Sequence, residues 1–578
     1  MTYGTGVADI TRRSFLTFAG LGAVGAVGLS TRPWGLQYAG AQPLPTSGAG
    51  TTLEAVARPN GSSGYRKLMA GAGWPNIVRE ELVSAQAGRE GRRTALASFV
   101  QLTDVHIVDA QSPARVEYLH PLEPSAFRPQ ETLTAQGLAA LVRRVNSLAS
   151  GPHTGRAFDA VVTTGDNTDN KETVELNWFL TAMNGGTIIP NTGKAEYEGV
   201  QNSGADLYWN PGSSIQDMYK KAGFPELPDF LPAALTSFSS PGLNTPWYCV
   251  FGNHDDSVQG TLPNGIGLLE DMYIGSKKME VPTSEETSSL GSASSTGSAG
   301  DVFNALAAFT SKPREVTPDL SRKPFTPEEF IAAHLDPANE GPGPRGHGFA
   351  PDAGQTGIGY YTFEIAPGVI GISMDSTNRA GFIDGSLGEA QFKWIEQTLK
   401  DGSSRYFDSD GSPVSNSVND SWFILFSHHT SDTMDNLEPD PTDPRERRIP
   451  GAELVDLLHR FPNVLAWVNG HTHENRITPQ RGDNPEQSFW EINTASHIDF
   501  PQLGRIIEVA DNQDGTVSLL ATLFEADSPY SVDYTDLSPL GLASLYREFS
   551  FNDIHAKVEL KTGGEGDRNV ELLLPSGR

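Results

Sequence analysis

Five short apolar runs in this chain each give way, within a few residues, to Asp, Asn or His, and that repetition narrows the folds open to the chain more than any other feature. Residues 246–251 (PWYCVF) lead into Gly252, Asn253, His254 and Asp255. Residues 97–102 precede Asp104 and His106, and residues 160–164 precede Gly165, Asp166 and Asp169. Residues 422–426 precede His428 and His429, and residues 464–468 precede Gly470, His471 and His473. Runs of this length, rich in β-branched and aromatic side chains, read as buried strands. An α/β sheet delivers its ligands at the carboxyl ends of its strands, so five such ends predict one shared site. The chain has 13 His, and five of them (His106, His254, His428, His471 and His473), together with the adjacent His429, fall at these ends.

The stretches between the runs fit the same class. Leu138, Leu141, Val142, Val145 and Leu148 recur at helical spacing, which predicts a crossover helix and a βαβ unit between the first two strands. A second helix is expected after Asn170, with Val174, Phe179, Leu180 and Met183 inward. Residues 360–373 read as a hairpin around Pro367 and Gly368. Ser386 and Glu389 read as a capping box opening a helix with Leu387, Ala390, Trp394, Ile395 and Leu399 inward. Residues 450–460 read as a short helix, and 488–493, 505–510 and 516–524 as closing antiparallel strands. Two stretches interrupt this order. Residues 184–245, rich in aromatics, Gly and Pro, read as an insertion over the site mouth, and 257–355 as a second insertion holding a polar, low-complexity, mobile segment at 284–300.

Composition excludes some functions. Lys+Arg of 42 against Asp+Glu of 71 gives a formal charge of −29, which repels nucleic acid and anionic lipid. The single cysteine, Cys249, permits no internal disulfide and reads as a small buried hydrophobe. Near the start, Thr11-Arg12-Arg13-Ser14-Phe15-Leu16 precedes a Gly/Ala-rich apolar stretch and the small-residue sequence Ala39-Gly40-Ala41. This order resembles a twin-arginine export signal, with the apolar stretch too short and interrupted for a stable membrane span. Export of the folded chain by the twin-arginine machinery, to the cell envelope or beyond, is the expectation.

Two divalent ions held about 3.5–4 Å apart need a shared carboxylate and further N or O donors on each. Asp166, after a glycine at a strand end, is the candidate bridge. Asp104 and His106, two apart on an extended segment, are expected to project together, as are His471 and His473. Asp, Asn and neutral His without thiolate suit Mn, Fe or Zn.

The series Asp104-x-His106, Gly165-Asp166-x-x-Asp169, Gly252-Asn253-His254-Asp255, His428 and Gly470-His471-x-His473 resembles the calcineurin-like binuclear metallophosphoesterases. With the leader, the chain is also similar to a twin-arginine-exported actinobacterial type. The resemblance implies a four-layer αββα sandwich of α/β class carrying loop insertions. It implies one ion on Asp104, His106, Asp166 and His473, and a second on Asp166, Asn253, His428 and His471, with His429 an alternative to His428. His254 would be the general acid beside the leaving group, with Asp169 as its carboxylate partner, while a metal-bridging hydroxide attacks phosphorus. Purple acid phosphatases have a tyrosine where Asp169 stands, so no tyrosinate ligand is expected. Arg379 and His497 are weaker candidates for substrate contact.

The expected organisation is a signal peptide at 1–41, an N-terminal wrap or linker at 42–95, a catalytic domain at 96–526 and an extension at 527–578. The expected activity is that of a secreted hydrolase of a small-molecule phosphodiester or phosphomonoester. The alternative is a non-catalytic exported protein that binds metal or phosphate on the same fold.

Overall fold

A computed structural model describes residues 47–263, 271–294, 304, 305, 308 and 311–577. The expected export signal and residues 295–300 of the low-complexity segment lie outside the described residues. Two large sheets, of seven and six strands, dominate. Their strands are β1 (Asn76–Arg79), β2 (Thr94–Leu102), β3 (Ala160–Thr164), β4 (Trp247–Val250), β5 (Tyr361–Ala366), β6 (Val369–Ser373) and β7 (Trp422–Phe426). They continue with β8 (Val464–Asn469), β9 (Arg476–Gln480), β10 (Phe489–Asn493), β11 (Leu503–Asp511), β12 (Thr516–Glu525) and β13 (Asn569–Pro575). The helices used below are α1 (Thr134–Leu148), α2 (Thr173–Asn184), α3 (Asn253–Asp256), α4 (Ser284–Ser294), α5 (Glu389–Asp401), α6 (Gly451–Leu458), α7 (Pro539–Asn552) and α8 (Val558–Thr562).

The first sheet runs β1-β13-β12-β11-β2-β3-β4, with β2, β3 and β4 parallel. The second runs β5-β6-β7-β8-β10-β9, with β6, β7, β8 and β10 parallel. Strand β7 shows why the layers stack. Its five residues are all buried, and the period of two sends Trp422, Ile424 and Phe426 to one core and Phe423 and Leu425 to another. The first core lies between the sheets, where Phe426 meets Phe99 of β2 edge to face at 5.5 Å. Gln101 Nε2 also donates across to Asn469 O at 2.8 Å. Leu138, Leu141 and Val142 of α1 and Phe179 and Leu180 of α2 pack on the outer face of the first sheet. Ile395 and Leu399 of α5 and Leu454 and Leu458 of α6 do the same for the second. The result is a four-layer αββα sandwich in the α/β class.

Several local expectations change. Ser386 does not cap α5: Gly388 does, with no side-chain cap, while Ser386 Oγ accepts from Arg448 Nε at 2.9 Å. Ala390 is exposed and Trp394 half-buried, so Ile395 and Leu399 carry the inward face. Residues 488–493 do not join β11 and β12. As β10 they lie antiparallel to β9 and parallel to β8, because Phe489, Trp490 and Ile492 are buried on both faces and need a sheet interior. Residues 284–294, expected to be mobile, form α4, whose Leu290 is buried with Tyr118 and Leu119. The aromatics of 184–245 do not simply cap the mouth: Tyr208, Trp209, Tyr219, Phe224 and Phe230 form their own core with Leu545 and Phe549 of α7.

The first sheet also draws on residues outside 96–526. From beyond residue 526, β13 pairs antiparallel with β12 and parallel with β1, which comes from the expected linker. Among the described residues no helix is long and apolar enough to cross a membrane. Because Leu572 of β13 is fully buried in the inter-sheet core, Leu572→Ala should lower unfolding free energy by about 2–5 kcal/mol. A chain ending at Ala526 should lose its cooperative denaturant transition, both measured by fluorescence.

Candidate metal centre

The parallel strands of both sheets end beside one another, and the backbone then bends sharply. Asp104, His106, Asp166, His471 and His473 all take positive φ, at 49°, 42°, 50°, 72° and 59°. They are five of the twelve non-glycine residues with positive φ among the described residues. Left-handed backbone costs an L-residue of this kind on the order of 1–3 kcal/mol and persists only when its surroundings fix it. Here Asp104 N donates to Gly165 O at 3.1 Å and His106 N to Asp166 O at 2.9 Å. His471 N donates to both oxygens of Asp104, at 3.2 and 3.1 Å. The extended i, i+2 geometry expected for Asp104 and His106, and for His471 and His473, is thus replaced by left-handed turns.

Close packing leaves no room for side chains at the neighbouring glycines. A Cβ on Gly165, whose φ is +88°, would sit 2.6 Å from His428 Nδ1, and one on Gly252 would sit 2.2 Å from both Asp166 N and Oδ1. Asp255 ties the two strand ends together, accepting from Asn167 N, Thr168 N and Gly252 N at 2.9–3.1 Å. Buried, and close to Asp166, its carboxyl is pushed up to about 6.

The outer nitrogens of three histidines decide where their lone pairs point. His106 Nδ1 meets Asp169 Oδ1 at 2.8 Å, His473 Nδ1 meets Asp499 Oδ2 at 2.7 Å, and His428 Nδ1 meets Thr164 O at 2.9 Å. Each partner only accepts, so each Nδ1 carries a proton and each ring, when neutral, turns its Nε2 lone pair inward. His106 Nε2 then lies 3.3 Å from His473 Nε2 and 3.4 Å from Asp166 Oδ2. His473 Nε2 lies 3.3 Å from Asp104 Oδ1. On the far side of Asp166 Oδ2, His428 Nε2 is 3.3 Å away, and it lies 2.9 Å from Asn253 Oδ1 and 3.2 Å from His471 Nδ1. Asn253 Nδ2 donates to Gly260 O at 2.9 Å, which fixes the amide with its oxygen facing His428.

Ligand atoms of Asp104, His106, Asp166 and His473 all lie within 4.8 Å of one another, and so do those of His428, His429 and His471. Lone pairs converging in a buried site repel unless a proton or a cation lies among them. The protein alone answers with protons. Burial pulls His428 down, but the Asp166 and Asp104 carboxylates prevail and raise it to about 9. Burial opposes ionisation of Asp166, yet His428, His254 and His106 hold it well below the usual carboxylate range. A divalent cation would supply that positive charge instead and release the His428 proton on binding. The donor set therefore fits divalent metal.

His429 stands apart: its Nδ1 meets Ser376 Oγ and its Nε2 meets Ile383 O, both at 2.9 Å, so both nitrogens have protein partners. His254 is the more open histidine, with a side chain 24% exposed. Its Nδ1 donates to the backbone carbonyl of Asp169 at 2.7 Å, while the Asp169 carboxylate is 3.8 Å away. That carboxylate is engaged by His106 and by Arg115 Nη1, so the expected carboxylate–His254 pair is replaced by a carbonyl contact. Neither weaker candidate is free to meet substrate. Arg379 bonds Asp256 at 2.6 Å and Asp375 at 2.8 Å. His497 is fully buried, its ring against Tyr546.

Sequence reading missed Asp499, Arg115 and the Thr164 carbonyl. Asp499 had a signal, since it follows the end of β10 as the other site residues follow theirs. Arg115 lies in the connection between β2 and α1, where no periodicity points to it.

No family model matches the sequence, and no curated protein matches it. Among solved structures, a dimetal phosphatase from Danio rerio is similar at 11% identity and a TM-score of 0.32, over 75% of this chain and 100% of that chain. Gly252→Ala should drive the new methyl into Asp166 and lower stability by about 1–3 kcal/mol in denaturant unfolding.

Proposed function

We propose that the chain is a phosphoric ester hydrolase dependent on two divalent ions, Mn, Fe or Zn, acting on a small-molecule phosphodiester or phosphomonoester. The observation that carries this reading is the place of Asp166 Oδ2, 3.4 Å from His106 Nε2 on one side and 3.3 Å from His428 Nε2 on the other. A shared carboxylate oxygen between two donor sets is what a pair of cations requires. Asp104, His106, Asp166 and His473 would hold one ion, and Asp166, Asn253, His428 and His471 the other. When bound, the ions supply charge neutralisation at phosphorus and activation of water.

The remaining chemistry belongs to side chains. His254 N donates to Asp166 Oδ1 at 2.9 Å, which anchors the residue beside the bridge. With Nδ1 held on the Asp169 carbonyl, Nε2 is the atom that would deliver a proton to the leaving oxygen. Asp169 acts through His106 in this scheme, fixing its tautomer. Export through the twin-arginine route, as a folded and metal-loaded enzyme, remains part of the proposal and rests on the motif at Arg12 and Arg13.

Protein purified without added ions should carry up to two transition-metal ions per chain by mass spectrometry, and chelation should abolish turnover; a metal-free active protein would sink the reading. His254→Ala should lower turnover by about 10² to 10⁴ with metal content unchanged. Relative hydrolysis of bis-p-nitrophenyl phosphate and p-nitrophenyl phosphate separates the two substrate classes: faster turnover of the first assigns a diesterase, and faster turnover of the second a monoesterase.

A further inference from the structure

The turn that carries His473 is closed from behind by the last part of the chain. Asp499 Oδ2 accepts from His473 Nδ1 at 2.7 Å, and Asp499 Oδ1 accepts from Arg128 Nε at 2.8 Å. Lys561 Nζ, from α8, donates to the same Oδ2 that holds His473. Carbonyls of α8 accept from Asn475 beside this turn: Asn475 N donates to Lys561 O at 3.0 Å, and the side-chain Nδ2 to Thr562 O at 3.3 Å. Just beyond, Ile477 N donates to Asp567 Oδ1 at 2.9 Å. Residues 128, 473, 499 and 561 come from four separate parts of the chain, so no single turn produces the arrangement.

We propose that Asp499 is a positioning residue for His473, and that Lys561 makes the C-terminal segment part of the metal centre. This rests on the metal-centre reading above. Accepting the Nδ1 proton fixes both the rotation of the His473 ring and its tautomer, so that Nε2 faces Asp104 and His106 with its lone pair. A carboxylate with one donor can swing on its Cβ–Cγ bond. Three donors, two of them cationic and placed on both oxygens, leave Asp499 one orientation. Arg128 alone would balance its charge; Lys561 adds the contact that ties the orientation to α8.

The test uses the full chain stripped of metal by chelator and titrated with Zn²⁺ by calorimetry, together with the visible absorption of the Co²⁺-loaded protein. Asp499→Ala should weaken Zn²⁺ binding by about 10- to 100-fold and shift the Co²⁺ bands. Lys561→Met should weaken it by a smaller factor, and the double variant should lose no more than Asp499→Ala alone, because Lys561 acts only through Asp499. Unchanged affinity and spectrum in Asp499→Ala, or additive losses in the double variant, would overturn the proposal. If Asp499→Ala does not fold, Lys561→Met decides alone, and wild-type affinity with a wild-type spectrum overturns it. A wild-type chain that binds no Zn²⁺ would overturn the metal-centre reading and this inference with it.

Discussion

Mutual repulsion of inward-facing lone pairs is the constraint on which the rest of this molecule turns. Nε2 of His106, His428 and His473 and oxygens of Asp104, Asp166 and Asn253 approach to 2.9–3.4 Å, and with the imidazoles neutral and the carboxylates ionised no proton lies between them. In water such a cluster would scatter. Here each group is buried and held from behind, so the stress can be relieved only by adding positive charge. Proton uptake, which the neighbouring carboxylates favour at His428, is one relief, and bound cations are the other.

Holding the cluster together takes backbone and packing as well as side chains. Five residues sit in left-handed conformations at the ends of parallel strands, where amide and carboxylate contacts fix them. Gly165 and Gly252 allow the strand ends to approach more closely than a side chain would permit. The inter-sheet core presses those ends together, since β2, β3 and β4 from one sheet and β7 and β8 from the other share the same buried face. Strain at the site is thus offset by ordinary apolar burial elsewhere in the layers.

A second row of charge surrounds the first. Arg115 joins Glu131 and Asp169, and Arg128 and Lys561 meet on Asp499, so each outer carboxylate that orients a histidine is itself held by cations. The chain is strongly acidic overall. Two of its buried arginines, Arg115 and Arg128, nonetheless stand against the carboxylates of Asp169 and Asp499, beside a site that already contains Asp104 and Asp166.

The sequence alone determined the strand ends and the residue types placed there. A buried strand leaves a short continuous apolar signature, and His, Asp and Asn directly after it stand out against a chain with so few histidines. The βαβ unit and the approach of Asp104, His106, Asp166, Asn253, His428, His471 and His473 to one sheet edge were legible on that basis, whereas the four layers were implied only by the resemblance of the motif series to a known family. Tertiary structure decided what depends on contacts between distant segments. Neither the apolar run at 569–575 nor the four residues of β1 announces its partner, so their place in the first sheet could not be read locally. The same holds for β10, whose neighbour β8 is chosen by two-sided burial. It also holds for Asp169, which turns to His106 and to Arg115, a residue of a loop without periodicity, and for His429, which finds Ser376 and Ile383. Local periodicity reports which face of an element is apolar; only the folded chain settles which charge meets which, because pairing energies depend on distances that sequence separation does not encode.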